Sequence, residues 1–187
     1  MMKKHVLLAA AALALSGAAS AQVYGVVSAG VSKHDVDCAG TVSCDKSGSA
    51  FKVLGGYKFN PNVALEGGYM SFGKTKAVVN ELGVDVDLDI DIRGIGIGAA
   101  FHQEFATNWN FVGRLGLAQM KSKITASAGG FSSSDNDSKA KLYGGLGIGY
   151  KLTKQLSLDA AWDFSQGEFQ GEKDNVNAFS LGLTFGF

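Results

Sequence analysis

The final nine residues alternate without a break: Phe179, Leu181, Leu183, Phe185 and Phe187 are apolar, while Ser180, Gly182, Thr184 and Gly186 are small or polar. A period of two is the mark of a strand with one apolar face. A chain that closes on an aromatic at the end of such a strand suits lipid better than water. That places a severe constraint on the fold. In a bilayer every backbone N–H and C=O needs a protein partner, so membrane-crossing strands must close into a barrel.

The same alternation recurs upstream. A first strand, about Val23 to Ser32, carries Val23, Val27, Ala29 and Val31 on one face. A second, about Ala50 to Phe59, sets Phe51, Val53, Tyr57 and Phe59 against Lys52, Leu54, Gly56 and Lys58, and Asn60-Pro61-Asn62 follows as a tight turn. The third runs from Val63 to about Gly73, the fourth ends at Phe101, and the fifth covers Asn108 to Met120. Lys139 to Leu152, Gln155 to Ser165 and the terminal run supply the sixth, seventh and eighth. Short links near Pro61, Glu104 and Thr153 alternate with polar stretches at 33–48, near 80, 121–138 and 166–174, which read as solvated loops. The pattern predicts an all-β fold: an eight-stranded antiparallel up-and-down transmembrane barrel with short periplasmic turns and long extracellular loops.

Facing separates this from a soluble, lipocalin-like barrel, which would turn its apolar faces inward. Opposite the apolar positions stand Lys52, Glu66, Arg114, Lys141, Asp159 and Asp163, costly against lipid and acceptable in a polar lumen. The outward aromatics fall into two tiers. Tyr57, Phe59, Phe101, Trp109, Tyr150 and Phe187 lie toward the short turns, and Phe51, Tyr69, Trp162, Phe164 and Phe179 toward the long loops, as two membrane-interface belts require.

The fourth strand changes phase. Leu82, Val84, Val86, Leu88, Ile90 and Ile92 are apolar at even positions, whereas Ile95, Ile97, Ala99 and Phe101 are apolar at odd ones. A β-bulge at Arg93-Gly94 is the expected cause. With it, Ala77 would face Val86, Lys76 would face Asp87 and Lys74 would face Asp89, in a hairpin projecting past the membrane. Asp85, Asp87, Asp89 and Asp91 would share a solvated face; a divalent-cation site there is the sharper alternative, although side chains two apart on a flat strand converge poorly. Val84, Val86 and Leu88 would form a contact face for a neighbouring loop or an outside partner.

At the other end, Met1–His5 is short and basic, Val6–Leu15 is an alanine- and leucine-rich run too short to span a bilayer, and Ala19-Ser20-Ala21 is a small-x-small site. Residues 1–21 read as a cleaved signal peptide and 22–187 as one barrel domain. Beyond Ala21 stand 15 basic and 17 acidic residues, a formal charge of −2 with no basic tail, which argues against a nucleic-acid footprint. Cys38 and Cys44, the only cysteines, lie in one polar stretch of an exported chain, and a loop-closing disulfide is expected. Two cysteines with His34 and Asp37 nearby make a weak zinc signal, so neither a metal nor a cofactor is expected.

The stretch Gly56-Tyr-Lys-Phe-Asn-Pro-Asn-Val-Ala-Leu-Glu-Gly-Gly-Tyr-Met-Ser-Phe-Gly-Lys74 resembles the second strand, turn and third strand of the OmpA-like transmembrane barrel family, the small outer-membrane proteins that include the opacity type. Ser180, Gly182, Phe185 and Phe187 resemble the C-terminal signal by which such barrels reach the outer-membrane assembly machinery. The resemblance implies residence in the bacterial outer membrane, among lipid and lipopolysaccharide. It also implies a charged interior network, for which Lys52, Glu66, Arg114, Lys141, Asp159 and Asp163 are the candidates. Such a network either holds the lumen shut or lines a narrow porin passing ions or small solutes. No peptidoglycan-binding domain is expected, because the sequence stops at Phe187. Enzymes exist on this architecture, but they need a nucleophile and base in reach; with His34 and His102 the only histidines after the signal, no enzyme is expected. A structural or surface-interaction role follows, with an extracellular partner reached through the loops as the remaining partner class.

Overall fold

The structure is a computed structural model and describes residues 22–35, 42–81, 84–128, 131–169 and 172–187. The segment read as a signal peptide, and Cys38 with its immediate neighbours, lie outside the described residues. Nine strands are formed: β1 (Val23–His34), β2 (Ser43–Asp45), β3 (Ser47–Lys58), β4 (Val63–Glu81), β5 (Val84–Ala106), β6 (Trp109–Ala128), β7 (Phe131–Lys151), β8 (Leu156–Phe169) and β9 (Glu172–Gly186). All except β2 pair antiparallel with their neighbours in one closed ring. The seam joins the terminal strand to the first, with Val27 opposite Leu183 and Val31 opposite Phe179.

The alternation sets the two faces. Val31, Ile95, Leu115, Leu142 and Leu181 are each about 60% exposed, and all eleven aromatics of the two expected tiers are exposed as well. On the opposite parity, Tyr24, Val26, Leu54, Ala64, Ala100 and Val112 are buried inside the ring. Apolar side chains out and a filled interior is the arrangement a lipid-facing wall demands.

The β4–β5 pairing corrects the expected bulge. Numbers sum to 164 from Val63↔Phe101 to Ser71↔Arg93, as expected below the irregularity, but to 165 above it, from Lys74↔Asp91 onward. The extra residue therefore lies in β4, between Ser71 and Lys74, and β5 runs straight through Arg93-Gly94. Lys76 faces Asp89 rather than Asp87, Lys74 faces Asp91 rather than Asp89, and Ala77 faces Leu88 rather than Val86. Because β5 keeps its parity, Ile90 and Ile92 point into the barrel, and Asp87, Asp89 and Asp91 point outward beyond Ile95. The phase change marks the level at which the outer face leaves lipid and the inner face turns apolar.

Gly73 makes the irregularity affordable: its φ is +73°, and a Cβ there would meet the Ser49 carbonyl oxygen at 2.3 Å. Gly73→Ala is expected to cost about 1–2 kcal/mol from the left-handed backbone, with the contact against Ser49 adding to it. Urea unfolding in bilayers checks this against Gly55→Ala, where a Cβ meets nothing within 4 Å.

Two stretches expected as loops are strands. Residues 121–128 extend β6 and 131–138 extend β7 as a paired ladder, with Lys121 opposite Ser138 and Ser127 opposite Ser132. In 166–174, β8 and β9 stay paired out to Phe169↔Glu172. In the first polar stretch, β2 returns to pair with β4, placing Cys44 opposite Ala77.

Candidate functional site in the barrel interior

The inward-facing residues form successive layers. Nearest the short turns is an open cavity of about 350 Å³, walled in part by Lys58, His102, Asn110, Asp159 and Thr184. Asp159 accepts a hydrogen bond from the Thr184 hydroxyl at 2.6 Å, and at the rim Lys151 pairs with Glu104. Asp159 faces inward as expected, yet it is held by a hydroxyl and forms no ion pair among the described residues.

Above this cavity, Glu66 on β4 binds Arg114 on β6. The guanidinium donates from Nε to Oε2 at 2.7 Å and from Nη2 to Oε1 at 3.4 Å, and both side chains are at least nine-tenths buried. Tyr24 Oη donates to Glu66 Oε1 at 2.7 Å. That uses the only hydroxyl proton, so the contact of 3.0 Å between Tyr24 Oη and His102 Nε2 has the imidazole as donor. Gly56 leaves room for the tyrosine, since a Cβ there would overlap the Tyr24 ring at 2.2 Å.

The next layer joins Lys52 on β3 to Asp163 on β8 through a buried ion pair. Tyr143 Oη donates to the other carboxylate oxygen of Asp163 at 2.7 Å. Charge and hydrogen-bond capacity are therefore closely matched, as burial requires. Lys141 sits higher on β7, in register with Ala118 and half-buried. It is not in either pair.

Toward the outer end the interior gains an apolar cluster, set among the buried side chains of Ser32, His34, Thr75, Ser122 and Ser165. Ala50, Met70, Phe72, Ile92, Ala118, Met120, Tyr143, Val176 and Ala178 form one buried cluster, with Phe72, Ile92, Met120 and Val176 no more than 2% exposed. The expected network contained only charged residues. Tyr24, Tyr143 and His102 were missed, and so was this cluster, although Met70, Phe72 and Met120 all carry the inward parity.

His34 does meet a serine: its Nε2 lies 3.5 Å from Ser32 Oγ. Both groups donate to the carbonyl of Phe72, the imidazole at 3.0 Å, and Ser32 is fully buried. The pair braces the backbone beside Gly73. Asp87, Asp89 and Asp91 line up on the outer face of β5, and the side chain of Asp85 lies outside the described set; no group of three or more His, Cys, Asp or Glu converges on a metal position among the described residues.

A closed ring of eight antiparallel strands, greasy outside and filled within, defines a small outer-membrane β-barrel. The chain belongs to the family of the outer-membrane protein β-barrel domain, which matches residues 5–187, and its place is the bacterial outer membrane. Among solved structures it is similar to Ail, the attachment invasion locus protein of Yersinia pestis, at 22% identity over 89% of this chain and 99% of that one, with a TM-score of 0.55. Neisserial surface protein A is 18% identical over 88% and 97% of the two chains, with a TM-score of 0.58. OprG from Pseudomonas aeruginosa is 16% identical over 90% and 97%, with a TM-score of 0.56. No match is found among curated protein sequences.

Proposed function

We propose that the protein is a non-enzymatic structural and surface-presenting barrel whose lumen is held shut, the periplasmic cavity ending blindly beneath the ion pairs. The observation that carries this reading is the order of the layers: two satisfied buried pairs beneath the Met70, Phe72, Ile92, Met120 and Val176 cluster. An ion crossing that cluster would have to shed most of its water among tightly packed side chains, with only scattered buried hydroxyls such as Ser32 and Ser122 beside them. Planar-bilayer recording of the refolded protein tests it, and steady conductance would favour the narrow-porin alternative.

The long β6–β7 hairpin and the β8–β9 hairpin are the parts offered to an extracellular partner. Cys38 and Cys44 form a disulfide in this reading, tying the first extracellular stretch to β2. Intact-mass analysis after alkylation without reductant is expected to add no label, and two labels after reduction. Phe187, outward-facing and 61% exposed, forms the assembly signal with Ser180, Gly182 and Phe185. Deleting it is expected to lower the outer-membrane level in cells several-fold while leaving urea stability of the refolded barrel nearly unchanged; equal levels would remove the signal assignment.

A further inference from the structure

One row of outward side chains breaks the rule that facing neighbours complement each other. Arg93 on β5 stands directly opposite Lys121 on β6. Both are exposed, and their other cross-strand neighbours are Ser71 on β4 and Ser138 on β7. Like charges in register repel, at a cost comparable to the gain of an opposite pair. The next row outward holds Lys74, Asp91 and Lys123 side by side on β4, β5 and β6. None of these four cations forms an ion pair among the described residues. Across the two rows four cations face one carboxylate.

Depth identifies what lies against them. The row beneath contains Tyr69, Ile95 and Gln119, followed by Gly67, Ile97 and Leu117, so the apolar band ends one outward step below Arg93. That step is roughly 7 Å along the strand, less across the membrane because barrel strands tilt. The cations therefore stand at the level of the outer-leaflet headgroups. Farther out the cationic excess ends: Lys76 faces Asp89, and Asp87 continues the same face of β5 between Val78 and Ser127. The excess is also one-sided: across the seam, Lys33 on β1 has Ser47 and Asn177 as its register partners.

We infer that the outer face of β4–β6 is a binding site for the phosphate groups of an outer-leaflet glycolipid, with Arg93 and Lys121 sharing one phosphate and Lys74 and Lys123 flanking it. The guanidinium offers a paired donor edge and the ammonium a point charge, a combination suited to a phosphate monoester. Bound phosphate converts a repulsive cross-strand pair into a bridged one. The site is separate from the interior layers and does not depend on whether the lumen conducts.

The test uses the full barrel in phosphatidylcholine nanodiscs doped with bis-phosphorylated lipid A, with retained glycolipid counted by native mass spectrometry. Wild type is expected to retain lipid A at least tenfold better than the R93Q/K121Q double variant, and K33Q is expected to match wild type. Phosphatase-treated lipid A should be retained no better by wild type than by the double variant. In pure phosphatidylcholine the double variant should unfold at no lower urea concentration than wild type, which keeps a folding defect from imitating the loss. Equal retention by wild type and double variant, or full retention of the phosphate-free lipid, would overturn the site. Inorganic pyrophosphate bound as tightly as lipid A in undoped nanodiscs would also overturn it, showing a receptor for soluble anions instead.

Discussion

Asp163→Ala is expected to lower the unfolding free energy of the refolded barrel by about 3–5 kcal/mol, the usual result of stranding a buried charge. It leaves the Lys52 amine without its counter-charge in an interior site and removes the acceptor for Tyr143. The double replacement Lys52→Met with Asp163→Leu should recover most of the loss, because removing both partners removes the desolvation cost along with the attraction. Urea titrations in bilayers, followed by Trp109 and Trp162 fluorescence, measure both variants. A double variant no better than the single one would show that the aspartate acts mainly through the tyrosine.

Conductance is the second large effect. Arg114→Ala alone is expected to leave the bilayer silent, because the apolar cluster remains above it. Phe72→Ala with Met120→Ala should produce steady openings: two side chains no more than 2% exposed are cut back at the level where the interior is most tightly filled by apolar groups. Such truncations cost about 2–5 kcal/mol each in a packed core, so heat-dependent gel mobility must first show that the variant is folded. Openings in Arg114→Ala, with the cluster intact, would place the barrier at the ion pair instead.

Facing was legible in the sequence; partnership across the lumen was not. Parity placed Lys52, Glu66, Arg114, Asp159 and Asp163 inside, because in a lipid-exposed wall the apolar half of the alternation is pinned outward. It did not pair Lys52 with Asp163, since β3 and β8 are not neighbours in the ring and their side chains meet only through the interior. The phase change at Arg93 was visible, but a bulge and a reversal of which face is apolar leave the same mark in one strand. Gly73, on the partner strand, carried the distinguishing geometry. The outer parts of β6 and β7 read as a loop for a related reason: with neither face against lipid, Ser132 to Ser138 lose the apolar alternation while keeping the ladder.

That continuing ladder has a mechanical consequence. From Lys121, at headgroup depth, β6 runs seven more residues to Ala128, roughly 23 Å of additional strand. Hydrogen-bonded on one side to β5 as far as Ser127 and on the other to β7, it stands as a stiff mast, so a partner docking beside Ser127 is met at a fixed height above the lipid and its pull passes along the ladder into the barrel wall.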